Sequence, residues 1–402
     1  LYASSLNGPS LRVALYRSSS IGDAILGTAC IDLLKQLPVP VEITWLGRQP
    51  SLGVISKAWP AVRCIEIRRS LSLPDIDQLI KEIGPLHLIV DLQSNLRSRW
   101  VCHRLARETN APIFTAAKIQ LLRNQLLMTA RLRGRRRPLP REAGTPKHLQ
   151  YQIMVNALRE GLFQQLPVNL RDYVHTATPV PRLPMGKQPP ETPWQKELHF
   201  GRWLAVAPGA AHATKQAPPE IFSGVLSLLA EEFKSADLPG VVVLGDEKDR
   251  KAGIAIVDQV DWHGPVLNLA GRLSLWETTI ALSSCNALLS NDSALGHIAE
   301  AVDTPVAILF GPTVEGFGFA PRMRESRAFS ASLGCRPCSK HGRTPCRYDD
   351  HLCFAAISLP EVTGHLSNLL SRERVAPATR LSETKQHGID SGVESGAGIH
   401  NG

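Results

Sequence analysis

The chain has 402 residues, enough for two domains that each bury a core of their own. Its apolar content is ordinary and no run is long enough to cross a bilayer as a helix, so a membrane-spanning protein is not expected. The formal charge is +9, and the segment from Lys118 to Lys147 carries nine Lys or Arg against Glu142 alone, which concentrates nearly the whole excess in one place. Such a run suggests a local anionic partner (a phosphorylated glycolipid, a membrane surface or a nucleic acid), with a solvated basic loop as the plain alternative.

Residues 1–10, LYASSLNGPS, lack the basic start and apolar centre of a secretory signal and read as an extension. Leu11 to Tyr16 is an apolar strand, and Arg17-Ser-Ser-Ser-Ile-Gly-Asp23 forms a tight polar turn before a helix reaching to about Leu37. That order puts polar groups at a strand's carboxyl end. Asp23 is then either a first-turn acid favoured by the helix dipole or a general base aimed into a crevice. Val41 to Leu46 and Leu86 to Leu92 are further strands. Gln93, Arg97 and Arg99 follow the second, and guanidinium groups there suit an acceptor carboxylate or phosphate. Residues 118–137 place Ile119, Leu122, Leu126, Leu127 and Leu132 beside cationic positions. This pattern fits either a helix lying on an anionic bilayer or an ordinary core helix that ends in a basic loop. Pro138 and Pro140 end it, and His148 to Glu160 is the next helix. From about Phe163 to Trp194 the chain is rich in proline and poor in periodicity, and the interdomain linker is expected at 181–200.

Trp203 to Ala207 is a strand followed by Pro208-Gly209 and a loop that carries Thr214 and Lys215 towards a helix opened by Pro218-Pro219. A lysine between a strand end and a helix start can neutralise a departing diphosphate. Val241 to Gly245 is a strand ending in Asp246-Glu247, and Asn268 to Gly271 leads into a helix from about Leu275 to Ser284. Ala287 to Ser290, then Asn291-Asp292-Ser293, then a helix Ala294–Val302 stopped by Asp303-Thr-Pro, then Val306 to Phe310, make a strand, helix, strand unit of the kind that builds parallel sheets. The free N–H groups of Ser293, Ala294 and Leu295 at that helix start can hold a phosphate, and His297 lies in the same first turn. Asp292 as a mere cap and His297 as a packing residue are the plain readings. Gly311-Pro-Thr and Gly316-Phe-Gly-Phe-Ala-Pro then form a glycine-rich loop that could close over the same crevice.

Single cysteines at 30, 64, 102 and 285 read as buried reduced thiols, which suits a reducing compartment. Cys335, Cys338, Cys346 and Cys353 form a cluster whose first spacing suits a metal clip, so four thiolates could close a structural zinc site; reduced thiols and disulfides are the alternatives. Residues 372–402 lose apolar content and read as a disordered tail.

The run SNDSALGHIAEAVDTPVAILFGPT, with FGFAP after it, resembles the C-terminal signature of glycosyltransferase family 9, the ADP-heptose:lipopolysaccharide heptosyltransferases. Ser19 to Asp23, Asp91 to Ser98, and Pro208-Gly209 with Lys215 resemble other motifs of that family, so the likeness covers about residues 11 to 370. Asp292-Ser293-Ala294 stands where relatives usually carry Asp-Thr-Gly, and Ala217-Pro218 where Trp-Pro is common. The resemblance implies a GT-B fold, with two doubly wound Rossmann-like α/β domains facing across a cleft: an acceptor domain at 11–180 and a nucleotide-sugar domain at 201–371. It implies inverting transfer of heptose from ADP-heptose to the inner core of lipopolysaccharide, with Asp23 as base and Lys215 catalytic at the leaving group. Donor contacts would come from Ser20, Gly22, Thr214, Lys215, Glu247, Gly271, Asp292, Ser293, Ala294 and His297. Gln93, Arg97 and Arg99 would face the lipid A-core acceptor. No cofactor is required for such catalysis, and the expected location is cytoplasmic, peripheral on the inner face of the inner membrane. Three rivals remain: a relative using another nucleotide sugar, a silent family member, and a basic nucleic-acid-binding protein. The last lacks aromatic interleaving or a known motif, so no nucleic acid is expected.

Overall fold

The computed structural model describes residues 10–68, 70, 72–186, 192–199, 201–233 and 238–372. The expected extension and tail fall almost wholly outside these. The first half forms a sheet of β1 (Leu11–Tyr16), β2 (Val41–Gly47), β3 (Arg63–Glu66), β4 (Leu88–Asp91) and β5 (Ile113–Thr115), in the order β3-β2-β1-β4-β5. The second half forms another of β6 (Trp203–Ala207), β7 (Gly240–Val243), β8 (Val266–Asn268), β9 (Ala287–Asn291), β10 (Val306–Phe310) and β11 (Arg327–Ser330), in the order β11-β10-β9-β6-β7-β8. Every pairing is parallel. Parallel strands need helical crossovers, which cover both faces of a sheet. This is why β4, β6, β7, β9 and β10 are buried along their whole length and are mostly apolar, with polar residues only at the carboxyl ends of β4 (Asp91) and β9 (Ser290, Asn291).

The strands that the sequence does not announce, β3, β5, β8 and β11, are the edges of the two sheets. Each has three or four residues with only partial burial, so none carries an apolar run. The helix Leu73–Ile83 was also unanticipated; its start is fixed by Ser72, whose hydroxyl accepts from the Asp75 N–H.

The order of strands reverses between β1 and β4 in one domain and between β6 and β9 in the other, so the loops leaving these strands diverge and open a crevice. The register puts Tyr16 level with Asp91, and Ala207 level with Ser290. The motif loops therefore start side by side. Each sheet has an apolar core on both faces. The core between the second sheet and its inner helices includes Leu244, Leu288 and Ile298, and it continues into Ile25 and Val54 of the first domain. Burying these side chains in common fixes the two domains against each other across the cleft.

The expected linker is partly built into both domains. The helix Val168–Thr176 packs Leu170 and Val174 into the first core. Beyond it, the Leu183 N–H donates to Ala301 O of the second domain at 2.7 Å. The helix Pro193–His199 buries Leu198 in the shared core.

Candidate active site

A cleft of about 880 Å³ lies between the domains, at the carboxyl ends of both sheets. Its wall in the first domain is the turn after β1. Ser20 begins the helix Ile21–Lys35, and Asp23, three residues on, reaches back so that its Oδ2 accepts from the Ser20 hydroxyl at 2.9 Å and the Ser20 N–H at 3.3 Å. Arg17 Nη2 lies 2.6 Å from the same oxygen. All of these contacts use Oδ2. Oδ1 takes no hydrogen bond from the described residues and is left for a proton from elsewhere. The turn is held from below, since Gln93 Oε1 accepts from the Ser18 N–H at 2.7 Å and Oγ–H at 2.9 Å, while its Nε2 donates to Ser19 Oγ at 3.2 Å. Buried Asp91 fixes the Gln93 loop by accepting from the N–H groups of Gln93 and Ser94 and from the Ser98 hydroxyl.

The opposite wall is the start of the helix Ala294–Ala301. Asp292 is not a cap. Its carboxylate accepts from the Thr313 hydroxyl at 2.7 Å and lies 2.6 Å from Lys215 Nζ. Burial pushes the Asp292 pKa up, but the Lys215 charge and the Thr313 hydroxyl more than offset this and leave it below the usual carboxylate range. The Lys215 loop is pinned by buried Asn291, whose Oδ1 accepts from the Ala217 N–H and whose Nδ2 donates to Pro208 O. Ser293 Oγ is buried, lines the cleft and has no hydrogen-bond partner among the described residues. A buried hydroxyl left this way costs free energy unless a ligand meets it. Burial pushes the His297 pKa down, against the opposing pull of Asp292, Glu300 and Asp23, so at neutral pH it offers an uncharged imidazole.

The two walls nearly touch. A Cβ added to Gly22 would stand 3.0 Å from His297 Cδ2 and 3.8 Å from the Ala294 methyl. Glycine is needed there for the helices to approach, and the methyl that Ala294 carries in place of glycine occupies part of the gap.

Of the expected site residues, Asp23, Ser20, Gly22, Gln93 and Lys215 line the cleft, as do Asp292, Ser293, Ala294 and His297. Thr214 does not, because its hydroxyl donates to Gly342 O. Glu247 and Gly271 lie beside each other just outside the lining: Gly271 has φ +71° and donates its N–H to Gly245 O, and a Cβ on it would strike the Glu247 carboxylate. Arg97 and Arg99 are corrected. Arg97 donates to Arg68 O and Arg99 is exposed on the outside of the helix Leu96–Thr109, so neither reaches the cleft. In the first domain the cleft is lined instead by Lys118, Arg123 and Gln150. Arg123 donates to Gln150 Oε1 at 2.9 Å and to Phe317 O at 2.6 Å, and stacks over Phe319 at 4.9 Å. The helix carrying it, Gln120–Arg133, was expected, but the burial of Leu126 against Val314 and Phe317 of the other domain was not.

Among the described residues no three His, Cys, Asp or Glu side chains come together as a metal-ligand set, and all eight cysteines are free. The segment 335–353 is organised around an arginine. Arg336 is fully buried and donates to Gly311 O, Thr313 O and Ala331 O at 2.5–2.8 Å. Burial pushes the Cys338 thiol up to about 11 and the Cys353 thiol up to about 12.

The model of glycosyltransferase family 9 (heptosyltransferase) matches residues 159–348, the stretch that holds Lys215 and the 292–297 wall. Lipopolysaccharide heptosyltransferase 1 of Pseudomonas aeruginosa is 24% identical over 92% of this chain and 99% of that protein. The chain is thus similar to glycosyltransferase family 9 in both of its halves. Lipopolysaccharide heptosyltransferase 2 of Salmonella typhimurium is 34% identical, but over only 34% of this chain and 38% of that protein. The crystal structure of a family 9 glycosyl transferase from Veillonella parvula superposes with a TM-score of 0.62 at 17% identity, covering 90% of this chain and 97% of that one. The fold is thus the GT-B arrangement shared within family 9.

Proposed function

We propose that this protein transfers heptose from ADP-heptose to a sugar hydroxyl of the lipopolysaccharide inner core, with inversion at the anomeric carbon. The observation that carries this is the facing of two sets of groups across one cleft: Asp23, held by Arg17 and Ser20 through Oδ2, on the first domain, and on the second the helix start with Ser293 Oγ, which has no partner among the described residues. Asp23 takes the proton of the acceptor hydroxyl as its oxygen attacks the anomeric carbon. The bond from that carbon to the β-phosphate oxygen breaks, and the electron pair leaves with ADP. The growing charge on the diphosphate is met by Lys215, by the N–H groups of residues 293–295, by Ser293 Oγ–H and by His297. These groups supply the electrostatic stabilisation, so the reading calls for no catalytic metal.

Arg17 and Gln93 hold the base in place and Asp292 holds Lys215. The exposed Leu121, Met128 and Leu132 on the basic helix 120–133 support contact with an anionic lipid surface, which the acceptor would share. No helix of the described residues is long and apolar enough to cross a membrane. The proposed location is peripheral, on the cytoplasmic face of the inner membrane. The test is calorimetric titration of ADP and UDP into the wild type and Lys215→Ala. ADP should bind alone and lose about 10- to 100-fold in the variant, the span of one charge-assisted contact. Preference for UDP would replace the donor, and binding of neither would overturn the reading.

A further inference from the structure

The cysteine-rich segment does more than pack. From the second domain it is fixed to the cleft floor by the Arg336 guanidinium and by the Cys338 N–H, which donates to Pro312 O at 3.0 Å. From the first domain it is fixed by the basic run. Arg133 donates to Gly334 O, the Gly334 N–H donates to Arg137 O at 2.6 Å, and Arg135 pairs with Asp350 while stacking on Tyr348 at 4.7 Å. Two of the nine cations of the basic run, Arg133 and Arg135, therefore hold this loop beside the cleft.

At the tip the loop turns tightly. Ser339 Oγ accepts from the N–H groups of Gly342, Arg343 and Thr344 at 2.9–3.4 Å. Gly342, at φ +81°, lies against the Lys215 stem, where an added Cβ would come within 2.5 Å of Cγ, and its carbonyl accepts from Thr214. This delivers Lys340, His341 and Arg343 to the cleft wall. The charges facing His341 are Arg123, Arg343, Lys215 and Lys340, and burial together with these cations pushes its pKa down. Among the described residues, Lys340, Arg343 and Arg123 make no ion pair with a carboxylate, whereas Lys215 and Arg17 do. Of the carboxylates in the same lining, Asp23 and Asp292 are paired with Arg17 and Lys215, and Asp246 and Asp249 accept from backbone N–H groups, so the remaining cations gathered in one concave place offer a site for an anion.

We propose that Lys340, His341 and Arg343 form a phosphate-binding arm that roofs Lys215 and grips a phosphate group of the substrates. The chemistry is the same whether that group is the nucleotide diphosphate or a phosphate carried by the acceptor. The inference deepens the transferase reading and rests on it. In binding energy a pair of charge-assisted contacts is sufficient for a tenfold effect or more.

The experiment compares the wild type with the Lys340→Ala/Arg343→Ala double variant, whose changed side chains sit in a loop away from both cores. ADP, adenosine and inorganic diphosphate are titrated into each, and inorganic phosphate is titrated into each after saturation with ADP. A loss of tenfold or more for ADP and diphosphate, with adenosine unaffected, assigns the arm to the donor. Unchanged ADP with loss of phosphate binding to the ADP-saturated protein assigns it to the acceptor side. Equal binding of all three anions in both proteins overturns the arm while leaving the transferase reading intact. Absence of ADP binding in the wild type would sink that reading instead, and diphosphate would still decide whether the arm binds phosphate.

Discussion

At the scale of single residues, the cleft is a set of ion pairs with one side left open. Asp23 lines the cleft and is held by Arg17 and Ser20 through Oδ2, while Oδ1 takes no hydrogen bond from the described residues. Arg17→Ala should therefore lower the turnover number tenfold or more while leaving ADP affinity unchanged, because the base loses its orientation and the donor wall is untouched. A steady-state assay with separate ADP titration checks this. Lys215 and Asp292 are both largely buried, at 16% and 11% side-chain exposure. Removing one partner leaves the other's charge buried and unpaired, so Asp292→Ala should cost about 3 kcal/mol of stability, read from denaturant unfolding. The sequence makes Asp23, Lys215 and His297 legible because each follows a strand end. It could not reveal Arg123, which sits inside a helix of ordinary appearance and reaches the cleft only through the packing of two domains.

At the scale of elements, the glycine-rich loop 311–319 and the helix Gln120–Arg133 meet across the cleft. Leu126 and Ala143 from one domain bury Val314 and Phe317 from the other. Leu126→Ala should destabilise by about 2–4 kcal/mol and loosen this contact, so the KM of the acceptor should rise more than that of the donor. Helix starts follow the sequence closely. Ser274 caps Leu275–Ser283, its Oγ accepting from the Glu277 N–H while Glu277 reaches back to the Ser274 N–H at 2.7 Å. Ser274→Ala should cost about 1 kcal/mol by thermal or urea unfolding. Central strands are legible for the same kind of reason, since burial on both faces writes itself as a run of Val, Ile, Leu and Ala. Edge strands such as β5 and β8, three residues each, are defined by pairing with a neighbour and leave no such mark.

At the scale of the whole molecule, charge placement explains what total charge does not. The basic run 118–147 divides its charge: Lys118 and Arg123 line the cleft, Arg133 and Arg135 tie down the cysteine-rich loop, and positions such as Arg131 and Arg136 stay exposed. Burial lowers the pKa of His297, His87, His341 and His365 in the folded protein. The unfolded chain then binds protons first as pH falls below about 6.5, so stability is full above that value and is lost as pH drops through the lowered folded values. Chemical unfolding measured from pH 8 to pH 5 should show this decline. In the proposed reaction, Asp23 is the base that works against a donor held by the other domain. Asp23→Asn should be assayed for heptose transfer from ADP-heptose to a heptose-free core acceptor, alongside ADP calorimetry. Turnover should fall by about 10²- to 10⁴-fold with ADP affinity unchanged; turnover within tenfold of the wild type would contradict the account.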